Sequence, residues 1–185
     1  MSADQSFKYL KGFPELVIEV AWSQRPLKLA ERAEHYIKWS HGKIQTVVGL
    51  NLYNVWSDQR KRKPRDQSAK FSVWRAEINE STGEAKVSSS KSIVDQIFRQ
   101  QDGKPAESVE LRLGLKDFVR EADAKSLDIN ELELGITSAE LCAYFDTALQ
   151  DHLENIEAKQ SVDAKEFGSE DLRESHASPE VRRQH

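Results

Sequence analysis

The chain has 185 residues, enough for one domain with a full core and some appendages. Its 38% hydrophobic content and mean hydropathy of −0.68 fit a chain with a solvated portion, and a net charge of −4 argues against a globally basic nucleic-acid binder. No run reaches the roughly 20 apolar residues of a membrane-spanning helix, so no membrane partner is expected. No basic stretch followed by an apolar one marks a secretory signal, and the single cysteine, Cys142, excludes an internal disulfide. A reducing, intracellular setting is the expectation.

Leu16-Val17-Ile18-Glu19-Val20-Ala21 is short, β-branched and almost continuously apolar, entered from Gly12-Phe13-Pro14. It reads as a strand buried on both faces, with Glu19 as its one interruption. From Pro26 to Trp39 the period changes: Leu29, Ala33, Tyr36 and Ile37 recur at helical spacing between charged residues. Ser23 suits the N-terminal cap, Pro26 the first turn and Gly42 the stop. Ile44 to Leu50 then reads as a second strand, which completes a βαβ unit.

Phe71 to Ile78 alternates and predicts a half-exposed strand, turned at Ser81-Thr82-Gly83 into a hairpin partner over Glu84 to Ser90. Ile93 to Arg99 predicts a further strand, ended by Asp102-Gly103. Leu111, Leu113 and Leu115 alternate ahead of a short closing helix at Lys116-Asp117-Phe118-Val119. Thr137-Ser138-Ala139-Glu140 is a capping box that should open a helix of about twenty residues ending near Glu157. Cys142 falls on that helix, within Leu141-Cys142-Ala143-Tyr144-Phe145, and reads as a buried, inert thiol.

The expected class is therefore α/β (α+β), a mixed central sheet around a βαβ core plus a C-terminal helix. The expected organisation is an α/β domain over 1–122, a linker over 123–136, a helix over 137–158 and a disordered, charged tail over 159–185.

A carboxylate inside an apolar strand is costly unless it is compensated. A metal ion, an arginine or lysine, or backbone donors would each compensate Glu19. Pro14-Glu15-Leu16-Val17-Ile18-Glu19-Val20-Ala21-Trp22-Ser23, then Arg32-Ala33-Glu34-His35-Tyr36, Gly42 and an apolar strand, resembles the PD-(D/E)XK nuclease superfamily, in its Uma-type, restriction-endonuclease-like branch. Leu111-Arg112-Leu113-Gly114-Leu115-Lys116-Asp117-Phe118 resembles that branch's closing strand and short helix. The resemblance implies a restriction-endonuclease-like fold and magnesium-dependent hydrolysis of DNA phosphodiesters. Glu19 would bind the metal, and Arg32 or Lys28 would stabilise the scissile phosphate.

This chain departs from that pattern. Ala21 stands where the wider superfamily has its strand lysine. Arg32 takes the place of the branch's helical lysine; it stays protonated and cannot act as a base. The first catalytic aspartate normally comes from an upstream strand, and little chain precedes Pro14. Glu15 cannot replace it: on one strand it lies about 13 Å from Glu19, at about 3.3 Å per residue, whereas magnesium contacts its ligands at about 2 Å. Glu15 is expected at an exposed strand start. The resemblance thus implies a degenerate domain, a fragment, or a subunit completed by another chain. The alternative is a non-catalytic protein-interaction or DNA-binding module, in which Glu19 pairs with Arg32 and the 137–158 helix docks a protein partner or a second copy.

Arg60-Lys61-Arg62-Lys63-Pro64-Arg65 forms a basic loop. It suits phosphate contact by Arg60, Lys61, Arg62, Lys63 and Arg65, a nuclear rather than a cytoplasmic address, or a solvated turn. Trp56 beside it is the one tryptophan expected to meet nucleic acid; Trp22, Trp39 and Trp74 read as core. His35 and His41 lack a ligand partner at metal spacing and read as surface residues. No glycine-rich phosphate loop, zinc-knuckle spacing or Gly-x-Ser-x-Gly elbow is present.

Overall fold

The computed structural model describes residues 4–8, 12–22, 27–55, 66–119, 121–126, 129 and 131–174. A short strand, β1 (Gln5–Phe7), runs antiparallel to β2 (Leu16–Ala21), and β2 lies parallel to β3 (Thr46–Asn51). Helix α1 (Leu27–Trp39) connects the two parallel strands, so the expected βαβ unit is present. β4 (Ala69–Ile78) adds antiparallel to β3. It then pairs through its last residues with β5 (Ala85–Val87) and through its first half with β6 (Ile93–Arg99). These strands make a mixed six-stranded sheet, and β7 (Glu110–Gly114) with β8 (Glu133–Thr137) makes a second, two-stranded one. A 3-10 turn at Leu115–Asp117, helix α2 (Glu121–Ser126) and helix α3 (Ser138–Glu174) complete an α/β architecture. The chain divides into two compact units, Met1–Cys142 and Ala143–His185.

The apolar stripe of α1 faces the sheet. Leu29, Ala33, Tyr36 and Ile37 pack with Val17 and Ala21 of β2, Val47 of β3 and Trp74 of β4. Each buried aliphatic or aromatic side chain there contributes roughly 1.5–3 kcal/mol. The helix stops where expected: Gly42 adopts φ +73° and donates its N–H to Ile37 O at 2.9 Å, a left-handed cap that a side chain would strain. Ser23 and Pro26 lie outside the described residues. Gly49 has a different task. It stands beside Glu19 in the parallel register, and a Cβ there would lie 2.6 Å from Trp74 Cζ3, so its missing side chain makes room for the indole.

Three expectations change. β4 is a central strand rather than a half-exposed one: Phe71, Ser72, Val73 and Trp74 are all buried, because both faces are covered. Trp74 lies in the α1 core, and Phe71 stacks on Phe98 with ring centroids 6.4 Å apart. The segment 123–136 is not a linker, since it holds much of α2 and most of β8. β8 is hard to see in sequence because its one leucine, Leu134, stays exposed at 49%, and the strand exists through its backbone ladder with β7. Finally, α3 begins at the capping box but runs past 158 to Glu174, through a stretch expected to be disordered. Thr137 N–H donates to Glu140 Oε2 at 2.9 Å, and Glu140 N–H donates to Thr137 Oγ1 at 3.2 Å. Beyond Lys159 the sequence has few large apolar residues, but it has good helix formers and no proline before 175, so the backbone continues. Residues 175–185 lie outside the described part. No described helix is long and apolar enough to cross a membrane.

Gly49→Ala should destabilise the protein by about 1–3 kcal/mol, the usual cost of overpacking, because the Trp74 ring must move. Chemical denaturation followed by tryptophan fluorescence reads the loss, and an unchanged midpoint would contradict this packing.

Candidate functional site

Glu19 sits in the middle of β2 with 0% of its surface accessible. Strand alternation aims it at α1, where Arg32 and Tyr36 lie one helical turn apart on the facing side. The Tyr36 hydroxyl donates to Glu19 Oε1 at 2.7 Å. One guanidinium nitrogen of Arg32 donates to the same oxygen at 2.9 Å and stands 2.7 Å from Oε2. Asp4, just ahead of β1, accepts the Val20 N–H at 2.7 Å, and its charge reaches both Glu19 and Arg32.

The electrostatics follow from this crowding. Burial pushes the Glu19 carboxyl above its ordinary range. The Tyr36 hydrogen bond and the Arg32 charge pull it back, while the Asp4 charge adds to the rise. Burial also raises the Tyr36 phenol, which donates to an anion and so holds its proton more tightly. For Arg32, burial opposes the charge, but contact with Tyr36 and the nearby Glu19 and Asp4 carboxylates more than offset it. The guanidinium is firmly cationic and the phenol firmly neutral. Neither can serve as a general base near neutral pH.

These side chains do not suit magnesium. A hard dication needs carboxylate oxygens free to meet it at about 2 Å, and a fixed cation already spans both oxygens of Glu19. Among the described residues, no group of three His, Cys, Asp or Glu side chains is placed to hold a metal ion. The arrangement ties a strand to a helix.

The structure thus brings Glu19 and Arg32 together but leaves Lys28 apart. Lys28 is exposed on α1 and makes no hydrogen bond or ion pair among the described residues. Arg60, Lys61, Arg62, Lys63, Arg65 and Trp56 lie outside the described residues. Glu15 is corrected from exposed to buried, at 1% accessibility. It precedes β2 inside the sheet edge, where its carbonyl accepts the N–H groups of Gln45 and Thr46 at 2.9 and 3.1 Å. Trp39 is also corrected: it is 59% exposed, packed edge-on against Phe13 with centroids 4.9 Å apart. His35 and His41 are exposed and Cys142 is buried, as expected.

One member of the site escaped the sequence reading: Asp4 lies just ahead of a short strand with no buried face to announce it. Tyr36 was legible as a core position and as the end of the Arg32–Tyr36 motif, whose i+4 spacing is a signal that both serve one partner. A second buried carboxylate, Asp117, was also missed. It accepts Thr46 Oγ1–H at 2.7 Å, Arg75 Nε–H at 3.0 Å and a second Arg75 N–H at 2.9 Å, and it accepts Gly114 N–H at 2.9 Å. Thr46 and Arg75 are register partners whose side chains leave the sheet on the side opposite Val47 and Trp74, so Asp117 serves the face away from α1.

Asp117→Ala should cost about 3–5 kcal/mol, because it leaves a partly buried guanidinium without its counter-charge; urea unfolding measures it. Arg32→Met should cost a similar amount at pH 7 and less in acid, where a stranded Glu19 takes up a proton. In the wild type the sign is set by the raised carboxyl. Its contribution is complete below the ordinary 4.5 and is lost as pH rises through the raised folded value. The stability difference between wild type and Glu19→Gln should therefore slope downward with pH above about 4.5. A flat difference would contradict the burial of this charge.

Comparison with protein-family models, with curated proteins and with solved structures finds no match to this chain.

Proposed function

We propose that this chain is a nuclease-like α/β domain that works as a non-catalytic binding module. The observation that carries this reading is the engagement of both Glu19 oxygens by Arg32, with Tyr36 donating to one of them. In the nuclease pattern that the sequence resembles, this carboxylate is open to a metal and a lysine supports the attacking water. Here the carboxylate is spent on a guanidinium, and the helical lysine is replaced by the arginine that blocks it. A protein docking at α3 and DNA contact at the Arg60–Arg65 run are the two ligand classes for such a module.

One observation favours a second reading, magnesium-dependent hydrolysis of DNA phosphodiesters. Asp4 brings a carboxylate from just ahead of the preceding strand into electrostatic reach of Glu19, and the nuclease pattern draws its first acid from that upstream side. Catalysis on that reading requires Arg32 to release Glu19, and Arg32, Tyr36 and the buried surroundings all oppose it.

Magnesium separates the two. The binding-module reading expects an unchanged melting temperature on adding magnesium, and no nicking of plasmid DNA by wild type above the level seen for Glu19→Ala. A magnesium-dependent rise in melting temperature, together with nicking lost in Glu19→Ala and in Asp4→Asn, would overturn it and establish hydrolysis.

A further inference from the structure

We propose that helix α3 docks a basic, amphipathic segment of another protein; this rests on the binding-module reading and names the chemistry of the partner. Leu141, Phe145, Leu149 and Leu153 follow one another at four-residue spacing and Ile156 follows at three, which places them in one stripe. At the root of the helix this stripe is covered: the Ser138 hydroxyl donates to Ala106 O at 2.6 Å, Cys142 is buried and Leu141 is half-buried. Farther along, the same stripe emerges: Leu153 is 38% and Ile156 39% exposed. The apolar pattern continues beyond the part of the helix that is covered.

Charge decides what fits. Between Ser138 and Ala158 there are five Asp or Glu residues and no Lys or Arg. Over the whole of α3, ten carboxylates face three cations. Asp151 and Glu154 fall off the stripe at helical spacing, so acid borders the apolar strip where Leu153 and Ile156 emerge. A second copy of α3 would bring like charge against like along the helix, which charge patterns in paired helices disfavour. A helix with leucines on one face and lysines or arginines beside them would bury Leu153 and Ile156 and neutralise that border. A helix of 37 residues spans about 55 Å, long enough to offer several turns of contact.

The test uses the full chain and a fluorescein-labelled synthetic peptide with Leu at i, i+3, i+4 and i+7 and Lys between them. A second peptide of the same composition with scrambled spacing serves as the charge-only probe. Fluorescence anisotropy should show saturable binding of the patterned peptide, weakened about tenfold or more by Leu153→Ala with Ile156→Ala, and weakened by added salt. Both replaced side chains are exposed, and circular dichroism should show an unchanged fold. Equal binding of both peptides, no binding, or binding indifferent to the double substitution would overturn the proposal. So would a dimer of the free chain, seen by light scattering, that the same substitution dissolves, because the occupant would then be a second copy. None of these outcomes alters the magnesium and nicking results, so this proposal and the binding-module reading fail separately.

Discussion

A negative charge in the interior of a sheet determines how the first unit is assembled. Moving a carboxylate from water into a packed sheet costs several kcal/mol after relaxation, and Glu19 remains there only because α1 presents a guanidinium and a phenol at its tip. Those two groups meet it only if β2 keeps its register and α1 keeps its rotation. A slip of one residue in β2 would turn Glu19 to the opposite face and leave Arg32 without its partner. The pair adds little net energy, but it excludes alternative packings of helix on strand.

The far side of the sheet repeats this arrangement with different residues. Asp117 receives two N–H groups from Arg75 and a hydroxyl from Thr46, as Glu19 receives a guanidinium from Arg32 and a hydroxyl from Tyr36. One cluster ties α1 to β2, and the other ties the 3-10 turn after β7 to β3 and β4. The sheet is thus held on both faces by a carboxylate, an arginine and a hydroxyl: both Asp117 oxygens accept hydrogen bonds, whereas at Glu19 Oε1 accepts two and Oε2 has only the ion-pair contact with Arg32. That engagement is what a structural role requires. A catalytic carboxylate would instead keep an oxygen open to metal, water or substrate.

Arginine in place of lysine carries the chemical consequence. A lysine can lose its proton in a buried site and assist a water; an arginine cannot, and its planar fork clamps a carboxylate that a metal would otherwise use. If the nuclease resemblance of the sequence holds, Arg32 stands where that pattern has its base and takes up the carboxylate that would bind the metal. On the proposed binding-module reading, binding falls to surfaces away from the cluster, where α3 has an apolar stripe and an excess of acidic residues.

Local rules made much of this protein legible from its residues. The helical period of α1, its glycine stop, the parallel strands around it, the Ser81-Thr82-Gly83 turn and the capping box before α3 all depend on neighbours a few positions apart, and all are present. Glu19 declared itself by breaking an apolar run, and Arg32 was already one of its candidate partners. The rest depended on what lies across space. β1 and β8 have no buried face of their own and exist through backbone pairing. Glu15 is buried by the start of β3, Trp39 is left outside by the end of its helix, and Asp117 meets Arg75 from 42 positions away. Sequence alone therefore determined the elements and the presence of a costly charge. Only the tertiary structure decided that an arginine compensates it, because a buried carboxylate attracts any cation, and which one it holds is a matter of what the fold brings within about 3 Å.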